Sequence, residues 1–123
     1  MVVDMVTHEL SPGITAISFT GGLVVGNRLT DVEHAIGERI KQGCRKLVLD
    51  FSGLTSMDSA GVGVLAMWVA IMQREGGKLA VAGATGPVEQ VLDRTHLNRY
   101  VGMYANVASA YSAMAELPPV PRP

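Results

Sequence analysis

The side chains with the most chemical potential gather in one short segment, Met57-Asp58-Ser59-Ala60-Gly61. There a carboxylate and a hydroxyl stand side by side immediately before an apolar stretch of helical spacing. Asp and Ser at such a point are favoured helix caps, because their oxygens accept from first-turn N–H groups that otherwise lack partners, a contribution of about 1 kcal/mol. The same position suits a covalent mark. A phosphate on Ser59 would meet backbone donors and the positive end of a helix dipole, so the fold could accept it without unfolding. Nucleophilic hydrolysis fits less well, since a serine hydrolase of the α/β type presents Gly-x-Ser-x-Gly and Met57 occupies the first glycine position. His8, His34 and His96 are the candidate bases, and nothing in their spacing aims one of them at Ser59.

Other constellations carry less. Gly61-Val62-Gly63 lacks the third glycine of a dinucleotide loop, Gly83-Ala84-Thr85-Gly86 matches no phosphate-cradling pattern, and no Gly-Lys-Ser or Gly-Lys-Thr occurs anywhere. No two histidines are four residues apart and no carboxylate cluster completes a ligand set, so neither a metal nor a cofactor is expected. Cys44 stands alone. It excludes an internal disulfide, reads as a small packed side chain, and fits a reducing compartment.

These residues must be positioned by a single domain, since the chain has 123 residues. Hydrophobic residues make up 48% and charged residues 17%, which excludes disorder driven by charge and low hydrophobicity. Ten Lys plus Arg against eleven Asp plus Glu leave a net charge of −1, without the basic excess that phosphate-backbone binding needs. Nucleic acid is therefore not an expected partner. The N-terminus carries Asp4 and Glu9 instead of a cationic leader, and the apolar run Val62 to Met72 falls short of the ~18 residues of a membrane span. A soluble cytosolic protein is expected.

Val2 to Leu10 and Ile14 to Thr20 read as two strands of a hairpin turning at Ser11-Pro12-Gly13. Asn27 is a candidate cap for an amphipathic helix carrying Leu29, Val32, Ile36 and Ile40 and closing at Gly43. Lys46 to Phe51 is a nearly continuous apolar run, the pattern of a central strand covered on both faces. A loop through Ser52-Gly53-Leu54-Thr55-Ser56 then leads to the Asp58 turn and a helix stopping at Gly76-Gly77. Lys78 to Ala82 reads as a strand, Gly83 to Gly86 as a loop, and Pro87 as the first turn of a further helix that turns Val88, Val91 and Leu92 inward. Tyr100 to Tyr104 reads as a short edge strand, and Asn106 caps a last helix from Val107 to Leu117. Domain boundaries of 1–117 follow, with 118–123 a proline-rich flexible tail. The class is α/β: a mixed sheet of four to five strands with helices packed against it.

The helix after Ser59 is apolar on two sides, with Val62, Leu65, Val69 and Met72 in one stripe and Val64, Trp68 and Ile71 in another. Such a helix is buried on both sides, or it offers the second stripe to a partner. In the second case Asp58, Ser59, Ala60, Gly61, Val64 and Trp68 form a binding surface around the hydroxyl.

The run from Lys46 to Leu65, KLVLDFSGLTSMDSAGVGVL, resembles the signature of the STAS domain of bacterial anti-sigma-factor antagonists. The resemblance continues through Gly77 to Gly83 and Val91 to Leu97, and it spans Val2 to Leu117. It implies a small mixed sheet with packed helices. It also implies a function: binding an anti-sigma factor that is also a serine kinase, so that a sigma factor is freed for transcription. The kinase inactivates its antagonist by phosphorylating the serine after the motif aspartate, here Ser59, and a metal-dependent phosphatase removes the mark. Asp58 then helps shape the recognised turn. ATP and magnesium belong to the kinase, and the antagonist itself is not an enzyme. Ala60 stands where many members carry a second Ser or Thr, and Gly21-Gly22-Leu23-Val24 lacks the acidic residues common at that turn. The resemblance also admits a non-catalytic subunit of a signalling scaffold or of a lipid-transport complex.

Overall fold

A computed structural model describes residues 4–26 and 28–117. The chain runs β1 (Asp4–Ser11), β2 (Ile14–Leu23), α1 (Leu29–Lys41), β3 (Lys46–Met57), α2 (Ser59–Arg74), β4 (Lys78–Ala82), α3 (Gly86–Arg94), a 3-10 turn (Leu97–Arg99), β5 (Gly102–Tyr104) and α4 (Val107–Glu116). The five strands form one sheet in the order β1-β2-β3-β4-β5. β1 and β2 are antiparallel, and every later neighbour pair is parallel. That is the mixed sheet expected from an opening hairpin followed by strand–helix repeats, with β3 at its centre.

Alternation along the strands divides the core in two. Ile17, Phe19, Leu47, Leu49, Phe51, Leu79 and Val81 share one cluster with the apolar sides of α1, α2 and α3. Ala16, Val48, Ala80 and Ala82 point to the opposite face and meet Ala110 and Met114 of α4. The side chains facing α4 are mostly alanines, whose small volume lets one helix close that face. Lys46 ties α4 down, since its buried ammonium donates to the carbonyls of Met114 (3.0 Å) and Leu117 (2.8 Å). This places a cation at the C-terminal end of the helix, where it meets the negative end of the helix dipole. Arg45, also buried, does the same for α1 through Ile40 O at 2.7 Å and reaches Glu75 beyond α2 at 3.6 Å.

Three expectations need correcting. Ser52 to Ser56 is not a loop: β3 runs on to Met57, because β2 also continues past Thr20 and pairs Gly21 with Leu54 and Leu23 with Met57. The polar composition of that stretch reflects the exposure of Ser52 and Thr55 within a strand. Gly53 permits the close passage, since a Cβ there would lie 2.7 Å from the Phe19 carbonyl oxygen. The last strand begins at Gly102, two residues later than Tyr100. At α1 the capping residue is Arg28, in the left-handed region at φ 59° and with no side-chain bond to the helix. Asn27 and the segment 118–123 lie outside the described residues. Among the described residues no helix is long and apolar enough to cross a membrane.

Candidate functional site

Asp58 ends β3 and starts α2. Its backbone is extended (φ −104°, ψ −172°), and its N–H still pairs with the Leu23 carbonyl of β2 at 3.2 Å. The side chain turns back over the helix. Oδ1 accepts from the N–H groups of Ala60 (3.0 Å) and Gly61 (3.1 Å), while Oδ2 accepts from the N–H of Val25 at 2.9 Å. One carboxylate therefore caps α2 and also holds the β2–α1 connection beside it. The Val25 N–H, followed by those of Gly61 and Ala60, keeps the Asp58 carboxyl below its ordinary range. A carboxylate stabilised as an anion by three donors is a poor proton acceptor, so its role here is structural.

With Asp58 as the cap, Ser59 is released from that duty. Ser59 is the first residue of α2 and exposed, and its hydroxyl has no hydrogen-bond partner among the described residues. None of the histidines approaches it through a hydrogen bond: His8 lies on β1, His34 on α1, and His96 in the turn after α3, all exposed. Ala60 is half-buried. Gly61 is buried because the first turn of α2 lies on the end of β2, where a side chain would run into the Leu23 carbonyl.

Val64 and Trp68 are not available to a partner, contrary to the expectation that the second stripe could be a docking face. Trp68 is 0% exposed and Val64 8%. Trp68 stacks on Phe19 of β2 with centroids 6.4 Å apart, and Phe19 meets Phe51 of β3 edge-on at 5.5 Å. The stripe is apolar because α2 lies over the middle of the sheet with α1 and α3 beside it. Of the six expected site residues, Asp58, Ser59 and Ala60 remain at the surface, and Gly61, Val64 and Trp68 hold the helix in place.

The structure adds residues to which sequence reasoning gave no role. A groove of about 270 Å³ runs beside Ser59, lined by Met57, Asp58, Ser59, Val62, Val91, Arg94 and Thr95. It joins the start of α2 to the end of α3. Arg94 and Thr95 fall within the segment Val91 to Leu97, whose resemblance to the family was the only signal at those positions. Outside the groove, Val25 is 75% exposed on the connection that Asp58 holds. Its bond to Asp58 spans 33 residues, and no local pattern announces it.

Other candidates stay outside this site. Cys44 donates its thiol to the Lys46 carbonyl at 3.6 Å, and burial pushes the thiol up, away from the reactive thiolate. Among the described residues no group of three or more His, Cys, Asp or Glu is arranged to hold a metal ion.

Comparison with known proteins agrees with this arrangement. The "Anti-sigma F factor antagonist" of Paenibacillus polymyxa is 30% identical over 74 residues, which cover 60% of this chain and 63% of that protein. The match thus spans less than two thirds of that relative's length. An anti-sigma factor antagonist from Mycobacterium paratuberculosis has the same fold, with a TM-score of 0.79 at 21% identity over 93% of this chain and 95% of that one. So does the anti-sigma factor antagonist SpoIIAA in its unphosphorylated form, with a TM-score of 0.80 at 19% identity over 94% of this chain and 99% of that one. The phosphorylated form of SpoIIAA superposes at 0.73. The STAS domain model matches residues 6–110, from β1 into α4 and through the whole Asp58–Ser59 turn. With the five-stranded sheet, the capped turn and that match in agreement, the chain belongs to the STAS domain family.

Proposed function

We propose that this protein is an anti-sigma-factor antagonist: it binds an anti-sigma factor that is also a serine kinase, and phosphorylation of Ser59 switches that binding off. One observation carries the reading. Asp58 takes over the capping of α2, which leaves an exposed hydroxyl at the helix start with no hydrogen-bond partner among the described residues. A serine needed only as a cap would be bonded to the helix. The relatives called anti-sigma factor antagonists support the same reading.

In this reading the chain is substrate and binding partner. The kinase brings ATP and magnesium, a metal-dependent phosphatase resets the switch, and regulated sigma-factor-dependent transcription is the output in a bacterial cytoplasm. The physics is adequate. Phosphoserine carries close to two negative charges, and each unit pair at ~4 Å is worth roughly 1 to 4 kcal/mol near a surface. Against one partner carboxylate the mark costs about 2 to 8 kcal/mol, while reversing a 99:1 population takes about 5.5 kcal/mol. No large conformational change is required.

The alternative of a permanent subunit in a scaffold or lipid-transport complex drew on the second apolar stripe around Trp68. Burial of Trp68 removes that motive. The deciding experiment is affinity capture from the native host with Ser59→Ala and Ser59→Asp as parallel baits, the retained proteins being identified by mass spectrometry. A kinase-like ATPase held by Ser59→Ala and lost by Ser59→Asp is the expected result. Equal retention by both baits overturns the proposal.

A further inference from the structure

A phosphoryl group on Ser59 enters an environment that already contains a negative charge. Asp58 precedes it, and the Asp58 carboxylate occupies the N–H groups of Ala60 and Gly61 that would otherwise have received an anion at the helix start. A protein group that favours the mark must therefore come from elsewhere. Two charged side chains line the groove beside Ser59, Asp58 and Arg94.

Arg94 is well placed for that role. It is exposed at the end of α3 and makes no ion pair among the described residues; its guanidinium donates to the neutral Gln90 carboxamide at 3.2 Å, one helical turn back. The neighbouring acid, Asp93, is engaged instead with Asn98 at 3.2 Å and lines a different cleft. Val62 and Val91 contribute apolar side chains to the groove between α2 and α3. A guanidinium with free donors across a partly apolar groove matches the geometry of a phosphate monoester, which it can bind through two parallel N–H···O contacts.

We propose that Arg94 is the intramolecular counter-ion of phosphorylated Ser59, drawing the phosphoryl group across the groove so that the mark joins α2 to α3. This rests on Ser59 as the modified residue. Arg94 then makes the phosphorylated form more than a repulsive charge: the groove beside Ser59 is filled, and the guanidinium is withdrawn from any partner that used it. Thr95, on the same rim, offers its hydroxyl to its own helix, at 2.8 Å from the Val91 carbonyl, so it does not compete.

The test uses full-length protein with phosphoserine installed at position 59 during translation, so it does not depend on whether a cellular kinase acts there. The second ionisation of the phosphate is followed by phosphorus NMR at low ionic strength in the wild type, Arg94→Gln and Arg94→Lys. A nearby cation favours the dianion, so the wild-type phosphate should titrate about half a pH unit below that of Arg94→Gln. Arg94→Lys should fall between them, and added salt should narrow the gap. Arg94 is exposed and its one side-chain bond among the described residues is to Gln90, so circular dichroism should show all three folded. Identical titration of wild type and Arg94→Gln overturns the proposal, even if the capture experiment has identified a kinase. A gap between them upholds it, even if no kinase is captured.

Discussion

The first turn of α2 and the body of the same helix are adjacent in sequence and do opposite jobs. In the first turn the stabilising contacts are polar and few: one carboxylate, three backbone N–H groups, and a glycine on the end of β2. The Ser59 hydroxyl is left out of them. In the body the contacts are apolar and many, with Val64, Leu65, Trp68, Val69 and Met72 all buried. The difference shows how one helix holds a hydroxyl rigidly without burying it. Packing fixes the axis, the cap fixes the end, and Ser59 is carried at the surface by both.

The sharpest way to break that division is to remove the anchor. Trp68→Ala deletes the largest buried side chain and its stacking on Phe19, and should cost about 3–5 kcal/mol, read by urea denaturation. A loss under about 1 kcal/mol would mean that the body of α2 is not what secures the turn. Gly61→Ala comes next. On an open helix it would gain about 1 kcal/mol from propensity, but here the added methyl meets the Leu23 carbonyl and should instead destabilise by about 1–3 kcal/mol. A rise in stability would show that α2 does not rest on β2.

Asp58→Ala removes the cap and the link to Val25, and should cost about 0.5–2 kcal/mol at neutral pH. Its pH dependence has a defined sign. The folded-state pKa of Asp58 lies below the ordinary 3.8, so its contribution is fully present above that value and is lost as pH falls through the lower folded one. The gap between wild type and Asp58→Ala should thus be constant near neutrality and close in acid. A gap that widened in acid would break the assignment. Ser59→Ala should have the smallest effect, within about 0.5 kcal/mol, because its hydroxyl bonds to nothing among the described residues. A larger loss would place Ser59 in the cap.

Much of the scaffold was legible because it is written locally. The hairpin at Ser11-Pro12-Gly13, the strand Lys46 to Phe51, the strand Lys78 to Ala82 and the Asn106 cap each rest on a few consecutive residues. The Asn106 side chain does accept from Ser109 N–H, at 2.8 Å. The second half of β3 was not legible, because Ser52, Gly53, Thr55 and Ser56 have the composition of a loop. They form a strand only because β2 runs alongside, where Thr55 also donates to the Gly21 carbonyl at 2.9 Å.

At the site the division is similar. The Asp58-Ser59 pair, its place at a helix start and the two apolar stripes of α2 were all determined by residue type and period alone. Only the tertiary structure decided which of the pair is the cap, that Trp68 faces the sheet and not a partner, that Val25 is tied to Asp58, and that Arg94 lines the groove beside Ser59. Those outcomes depend on which distant strands and helices lie alongside α2. Period and propensity describe what a segment does by itself, whereas hydrogen bonds and burial across the sheet are set by all the segments together.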